Sequence, residues 1–305
     1  MPIDNMFPEN GPAGEAGLFE LAPAKINLAL HVTGQRADGY HLLESIVTFA
    51  DRGDVLSFAA AEADDFIVSG RFAHFVPADA AEGDGNLVLQ ARDLLRRTLA
   101  DRGIATTPVA IHLEKNLPVA AGIGGGSADA AATLRGLLRF WDASLPEPEL
   151  IALCLFLGAD VPMCLKGEAL MARGIGEELA TLPTLPSLPL VLGNPLIGVS
   201  TPDIFRRLLR KDNPSIGARD DDWVPFLKTL RNDLEPPARS LVREIDQISN
   251  MIGAEGAMLT RMSGSGATCF GIFPSLETAQ KAVDSLNEQK PDWYFQAVQT
   301  IGTDP

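Results

Sequence analysis

The feature that most constrains this chain is a glycine-rich loop that leads directly into a helical pattern. The segment Leu117–Ala131 opens with Leu-Pro, places four glycines within five residues and then becomes rich in alanine. Glycine adopts positive φ without strain and lacks the Cβ that keeps other groups away from the backbone. A helix beginning near Ser127 is predicted by apolar residues at helical spacing, namely Ala130, Leu134, Leu137, Leu138 and Trp141.

A loop of this kind predicts a phosphate-binding site. Successive N–H groups can converge on an anion, and the following helix points its positive end at the same place. The loop is not a P-loop, because no lysine follows the glycines, and not a dinucleotide fingerprint, because Ser127 replaces the third glycine. Asp142, the acidic residue about twenty positions on, lies at a predicted helix end. A purely structural turn is the alternative, although such turns rarely need so many glycines before a helix.

Composition narrows the classes of ligand. A net charge of −15 and a pI near 4.7 argue against a nucleic-acid or anionic-membrane surface. The longest apolar run, Leu150–Leu157, is too short to span a bilayer. Cys154, Cys164 and Cys269 lack C-x-x-C spacing and are expected to be reduced core residues of a cytoplasmic protein. With only four histidines and no Cys/His cluster, no protein metal site is predicted.

The length of 305 residues predicts two domains. Residues 1–20 are acidic and rich in Pro and Gly, lack the pattern of a signal peptide, and are expected to form a loose tail. The segment Leu182–Pro189 contains three prolines and is the best linker candidate. We therefore expect an N-terminal domain over 21–183 and a C-terminal domain over 184–305.

Hydrophobic periodicity predicts an α+β fold. In the C-terminal part, pairs of strands alternate with helices, which suggests a ferredoxin-like layer. The main predicted strands are Lys25–Val32, Val109–Leu113, a strand near Leu190, Ala257–Met262, Ala267–Phe273 and Trp293–Ile301. The main predicted helices are Asn86–Ala100, Ala128–Phe140, Pro148–Leu157, Asp203–Leu209, Ala238–Met251 and Leu276–Leu286.

Three residues are candidates for chemistry. Lys25 and Asn27 lie on the strand face opposite Ile26 and Leu28, as they would in the wall of a site. The alternative for Lys25 is an edge-strand lysine that prevents aggregation. Asp160 follows a predicted helix end and precedes Val-Pro. Spacing alone leaves catalysis and N-capping of a short helix equally open for Asp160.

The glycine loop resembles the second motif of the GHMP kinases, the family of galactokinase, homoserine kinase and mevalonate kinase. Five further segments agree with the family: Ala22–Leu30, Ala37–His41, Leu157–Pro162, Thr201–Phe205 and Met262–Gly266. The resemblance runs from about Leu21 to the last strand. It implies a two-domain GHMP kinase fold, with an N-terminal ribosomal-protein-S5-like domain and a C-terminal ferredoxin-like domain. It also implies an enzyme that uses ATP and Mg²⁺ to phosphorylate a small alcohol.

The resemblance implies roles for individual residues. Asp160 would accept the proton of the attacking hydroxyl, while Lys25 would steady the developing charge. ATP would lie near Asn86 and Lys115, which the residues alone describe equally well as an N-cap and a solvated lysine. Ser127 would meet phosphate or Mg²⁺, although no acidic metal ligand has a clear match. The phosphate loop would comprise Pro118, Ala120, Gly122, Gly124, Gly125, Gly126, Ser127 and Ala128.

Within the family, the form Gly-Ile-Gly-Gly-Gly-Ser resembles the branch that acts on a small cytidyl diphosphate substrate. Its cytidine would lie at Tyr40, His41 and Phe205, although without the resemblance ordinary packing explains these residues. The remaining implied substrate contacts are Asn27, Thr201, Gly264 and Gly266. A homoserine- or mevalonate-type kinase and a non-catalytic regulatory protein are the alternatives. No obligate protein partner is evident from the sequence.

Overall fold

The computed structural model describes residues 17–77, 85–219 and 222–302. The chain divides into two compact units that interleave along the sequence. The first unit comprises the residues up to Ala24, Arg52–Val119 and Gly124–Gly167. The second unit comprises Lys25–Asp51, Ala120–Ile123 and the residues from Glu168 onward. The expected domain boundary at 183/184 stays a prediction.

The first unit combines a sheet with four α-helices and a short 3₁₀ helix (Ala73–Phe75) among its described residues. Residues 55–60 of the long strand β2 pair antiparallel with β4, and β4 pairs in parallel with β3. The strands that contribute to this unit are β1 (Leu18–Gln35), β2 (His41–Ala60), β3 (Asp65–Ser69) and β4 (Val109–Glu114). The helices are α1 (Leu87–Asp101), α2 (Gly125–Phe140), α3 (Glu147–Leu157) and α4 (Val161–Lys166). The predicted helices over 128–140 and 148–157 are confirmed.

Local sequence explains how α1 and α2 are placed. The Asn86 side chain accepts hydrogen bonds from Val88 N at 2.9 Å and Leu89 N at 3.4 Å, which confirms it as the N-cap of α1. A Cβ at Gly136 of α2 would lie 2.2 Å from the ring of buried Phe58 in β2. Glycine is therefore required at 136, and this close approach fixes α2 against the sheet.

The second unit contains the predicted ferredoxin-like layer. Its antiparallel sheet has the strand order β10-β7-β9-β8, with α8 following β7 and α9 following β9. Three further helices precede α8 between β7 and β8; without them, the order of elements along the chain is β-α-β-β-α-β, which confirms the prediction. The strands are β7 (Pro189–Asn194), β8 (Leu259–Met262), β9 (Cys269–Ile272) and β10 (Tyr294–Gln299). The helices are α5 (Thr201–Arg206), α6 (Trp223–Thr229), α7 (Glu235–Leu241), α8 (Glu244–Ala254) and α9 (Leu276–Gln289).

The second unit also contains the first half of β2. Residues 43–47 of β2 pair antiparallel with β5 (Leu170–Gly174), which pairs antiparallel with β6 (Glu178–Thr181). A buried apolar cluster joins β1, β7, β9 and the helices of the layer. Among the described residues, no helix is both long and apolar enough to cross a membrane.

Three sequence expectations differ from the structure. The single helix predicted over 238–251 is two helices, α7 and α8, because Val242 has an extended backbone with φ −128° and ψ 102°. Residues 1–16 of the expected tail lie outside the described residues, whereas Leu18–Glu20 already belong to β1. The linker candidate lies within the second unit, where Leu185 and Leu188 are buried.

Candidate active site

The N-terminus of α2 forms the end of the glycine-rich segment in the first unit. Gly124 lies in the left-handed region with φ 66° and directly precedes the helix. The Ala128 N–H donates to the Gly124 carbonyl at 2.8 Å, so the helical bonding begins at this glycine. The N–H groups of the first helical residues have no acceptor within a helix, and they carry the positive end of its dipole. Gly125, Gly126 and Ser127 can therefore bind a phosphate group through the backbone.

A buried ionic triad lies at the start of α2. The Lys115 ammonium donates to Asp54 Oδ2 at 2.6 Å and to Asp129 Oδ2 at 2.5 Å. The side chains of Lys115, Asp54 and Asp129 are only 3%, 0% and 5% exposed. Lys115 is thus not the solvated lysine that the sequence left open. Neither acid was assigned a role from sequence, because no local motif indicates that residues 54, 115 and 129 meet.

The triad shifts the proton affinity of its members. Burial alone would lower the pKa of Lys115, but attraction to Asp129 and Asp54 and the hydrogen bonds to both raise it. Burial raises the pKa of Asp129 well above its ordinary value, against the opposing attraction of Lys115. Asp129 Oδ1 is buried and makes no hydrogen bond within the described part of the chain. Lys115 is therefore held as a cation by its neighbours.

Two further predicted site residues belong to the first unit. Both ends of the Asn86 amide are hydrogen-bonded, because its Oδ1 caps α1 and its Nδ2 donates to the Pro77 carbonyl at 2.9 Å. Asp160 precedes α4, but its side chain makes no capping hydrogen bond to that helix. The capping alternative for Asp160 is therefore not realised.

In the second unit, β1 carries the predicted Lys25 and Asn27. Both side chains are buried, so Lys25 is not a solvent-facing edge lysine. Lys25 N donates to the Ile123 carbonyl at 2.9 Å, and Asn27 N donates to Ser263 Oγ at 3.1 Å. Asn27 Nδ2 donates to Ser45 Oγ at 2.8 Å, which fixes the amide. Asn27 Oδ1 is buried and has no hydrogen-bond partner among the described residues.

The segment Ala120–Ile123 packs backbone to backbone against the turn Ser263–Gly266. Ser263 Oγ donates to the Gly122 carbonyl at 3.1 Å. Gly122 has φ 73°, and a Cβ there would lie 2.5 Å from the Ser263 carbonyl oxygen. A Cβ at Gly264 would lie 2.6 Å from the Gly122 carbonyl oxygen. Two predicted loops thus meet, and both glycines are required for the contact.

An aromatic pair lies at the residues to which the family resemblance assigns a nucleobase. The rings of His41 and Phe205 stack with centroids 4.7 Å apart and planes 23° apart. Tyr40 is 61% exposed, and Thr201 Oγ1 lies 2.7 Å from Ser265 Oγ. Burial lowers the pKa of His41, with a smaller contribution from Lys211. His41 is therefore held neutral, which leaves it able to hydrogen-bond the edge of a planar ring.

Buried polar side chains support these loops. Asn232 Nδ2 donates to the Gly264 carbonyl at 2.8 Å. Arg261 donates to the Leu28 carbonyl of β1 at 2.6 Å and to the Leu230 carbonyl at 2.6 Å. Burial lowers the pKa of Arg261 to about 10. The sequence contained no signal for these supporting roles, because each joins residues far apart in the chain.

The next feature is the set of side chains that could bind a metal ion. Within the described ranges, no group of three His, Cys, Asp or Glu side chains could hold one. Asp129, the acid nearest the phosphate loop in sequence, has one oxygen on Lys115 and the other buried. The described residues therefore do not form a metal site by themselves.

Family models match both parts of the chain. The GHMP kinases N terminal domain matches residues 86–168, and the GHMP kinases C terminal domain matches residues 213–292. The chain belongs to the GHMP kinase family, which confirms the α+β GHMP kinase fold and an enzyme that transfers phosphate to an alcohol.

Individual kinases of the family differ in how similar they are to this chain. The chain is 58% identical over 296 residues to a 4-diphosphocytidyl-2-C-methyl-D-erythritol kinase of Rhizobium etli, covering 97% of this chain and 99% of that protein. A solved structure of a 4-(cytidine 5'-diphospho)-2C-methyl-D-erythritol kinase is 31% identical with a TM-score of 0.78, covering 93% and 100% of the two chains. A homoserine kinase from Cytophaga hutchinsonii, at 17% identity and a TM-score of 0.66 with 96% and 97% coverage, shares the fold.

Proposed function

We propose that the protein transfers the γ-phosphoryl group of ATP to the 2-hydroxyl of 4-diphosphocytidyl-2-C-methyl-D-erythritol, a step of the non-mevalonate isoprenoid pathway. The names of the relatives at 58% and 31% identity support this substrate. The observation that carries the proposal is the stacked pair His41–Phe205, in the same unit as the buried Asn27 amide. A homoserine or mevalonate kinase has no planar base to place against such rings.

The proposed ATP site uses backbone groups more than side chains. In a chain of net charge −15, the amides at the start of α2 supply positive potential without an exposed cation. Mg²⁺ would arrive on the phosphate oxygens, because this ion keeps several waters and needs few protein ligands. Ser127 is the protein oxygen that we assign to it. The bound ion would supply charge neutralisation at the phosphates.

Asp160 and Lys25 are the proposed catalytic residues. The acceptor oxygen attacks the γ-phosphorus while its proton passes to the Asp160 carboxylate. The bond between the γ-phosphorus and the bridging oxygen breaks, and ADP leaves with the electron pair. The Lys25 ammonium stabilises negative charge on the transferred group, and Asn27 Oδ1 accepts a hydrogen bond from the substrate.

We expect Asp160→Asn to lower kcat by roughly 10²- to 10⁴-fold with little change in the KM for ATP, because the variant loses the proton acceptor but keeps the loop. The exposed Asp101→Asn is the matched control and should leave kcat unchanged. Steady-state ADP release measures both variants. A kcat for Asp160→Asn within a few-fold of the wild type would refute the assignment.

The cytidine site has its own test. Phe205→Ala and Tyr40→Ala should each weaken binding of cytidine diphosphate, by about 1–3 kcal/mol for a lost stacking partner. Isothermal calorimetry with cytidine and adenosine diphosphates separates the two sites, since ADP affinity should not change. Equal cytidine affinity in both variants and the wild type would contradict the proposal. We place the reaction in the cytoplasm, which suits three buried cysteines that form no disulfide.

A further inference from the structure

The buried triad Asp54–Lys115–Asp129 has no role in the proposed chemistry, yet it ties three parts of the first unit together. Asp54 Oδ1 accepts from Asn116 N at 2.6 Å and from Leu117 N at 2.8 Å. These two amides lead directly into the glycine loop. Asp129 lies in the second turn of α2. The two carboxylates therefore hold the start of the loop and the start of the helix through one ammonium group.

The main chain of Lys115 is hydrogen-bonded through both its N–H and its carbonyl. Its N–H donates to the Ser69 carbonyl at 2.8 Å, and its carbonyl accepts from Phe72 N at 3.0 Å. A Cβ at Gly70 would lie 2.6 Å from the Lys115 carbonyl oxygen. Residue 115 is thus fixed from both sides by backbone contacts, and its side chain extends inward from a rigid position.

The ammonium group lies directly against the first residue of α2. A Cβ at Gly125 would be 3.3 Å from Lys115 Nζ and 3.8 Å from Asp54 Oδ2. A displacement of the triad would therefore move the helical turn whose amides we assign to the phosphates. A misplacement of about 1 Å can cost roughly 10²-fold in catalytic rate, and we expect a loss of up to that size in ATP affinity.

We propose that Lys115 is a positioning residue for ATP: its ammonium is the counter-ion of Asp54 and Asp129, and this triad fixes the start of the glycine loop and the first turn of α2. The inference rests on the proposed function in assuming that these amides bind ATP phosphates. It differs from a direct role, in which the ammonium itself would bind the nucleotide.

The two roles predict different responses to a second substitution. Lys115→Met leaves two buried carboxylates without a cation, which is far more costly than removing a whole ion pair. Asp54 would keep its two backbone donors, so Asp129 is the acid left uncompensated. Replacing Asp129 by Asn in the same protein removes that charge. If Lys115 acts by positioning, Asp129→Asn should restore ATP binding to the Lys115→Met variant. If the ammonium binds the nucleotide directly, Asp129→Asn cannot restore the lost contact.

The experiment measures the ATP dissociation constant by calorimetry in the wild type, Lys115→Met and the double variant Lys115→Met/Asp129→Asn. We expect the single variant to bind ATP about 10- to 100-fold more weakly. The double variant should recover at least about half of that loss on a logarithmic scale. A double variant that binds no more tightly than the single one would overturn the proposal. Lys281→Met, which removes an exposed pair with Glu277, is the control and should not change ATP affinity.

Amide hydrogen exchange without nucleotide separates this inference from the proposed function. Lys115→Met should speed exchange at Asn116 and Leu117 by about tenfold or more, and the double variant should reverse part of it. If the wild type does not bind ATP, the proposed function fails while the exchange data still test the triad.

A pair of milder variants serves if Lys115→Met does not fold. Asp54→Asn should speed exchange at Asn116 and Leu117. The asparagine amide has one acceptor oxygen, so its NH₂ group must face either Lys115 or the two backbone N–H groups. Asp129→Asn should change exchange at these amides by less than about threefold. Equal effects of the two substitutions would overturn the inference.

Discussion

Substituting Gly122 by alanine tests the contact between two loops of the second unit. Gly122 has φ 73°, and its position faces the backbone of the turn Ser263–Gly266. An added Cβ would lie 2.5 Å from the Ser263 carbonyl oxygen and 2.8 Å from Gly266 N. Real Cβ atoms do not approach backbone so closely, so the two loops must separate.

The expected loss of stability has two parts. Left-handed backbone costs a residue with a Cβ about 1–2 kcal/mol. Forcing extra volume into a packed contact costs about 1–3 kcal/mol more. Gly103→Ala isolates the first part, because Gly103 has φ 74° and a Cβ there would meet no heavy atom of the described residues within 4 Å. We therefore expect Gly122→Ala to be less stable than Gly103→Ala by about 1–3 kcal/mol.

Urea unfolding measures both variants, with Trp223 and Trp293 as fluorophores in the second unit. Gly122→Ala should also raise the KM for the acceptor, because Ser263 of the displaced turn donates to the Gly122 carbonyl and accepts from Asn27 N. Gly103→Ala should leave that KM unchanged. Equal free energies of unfolding for the two variants would show that the loops are not in contact, and would refute the reasoning.

Two further predictions concern stability. Hydrogen bonding from Arg96 lowers the pKa of Asp64 to about 2. The ionised carboxylate therefore stabilises the folded state at pH values above the ordinary pKa of Asp, and this stabilisation is lost as the pH falls toward 2. Asp64→Asn should cost about 1–2 kcal/mol at pH 7, and urea unfolding should show that cost shrinking below pH 4; a constant cost would contradict it. Arg261→Met should cost about 2–4 kcal/mol in the same assay, since the carbonyls of Leu28 and Leu230 lose their donor; a loss below about 0.5 kcal/mol would exclude this role.

Local patterns predicted the elements whose causes are local. The N-cap Asn86 and the helix after the glycine loop could be derived because both depend on neighbouring residues. The ferredoxin-like layer followed from the alternation of strands and helices. The break at Val242 could not be derived, because the residues on either side continue a helical pattern.

The buried charged residues could not be predicted from the sequence, because their ionic partners lie far away along the chain. Glu20 was assigned to a loose tail, but its buried carboxylate accepts from Arg135 at 3.1 Å and Arg139 at 2.6 Å. No local pattern singles out Asp54, although its side chain is fully buried against Lys115. A charged residue of this kind is buried only because its partner arrives from a distant segment, and one sequence does not contain that pairing.

The central claim concerns the acceptor, and ADP release with Mg·ATP tests it most directly. Purified protein would be assayed with 4-diphosphocytidyl-2-C-methyl-D-erythritol, mevalonate, homoserine and galactose, and the phosphorylated product identified by mass and by phosphorus NMR. We predict turnover with the cytidyl compound alone, and phosphate on its 2-hydroxyl. Turnover with another alcohol in preference to it, or no turnover with any of the four, would contradict the account.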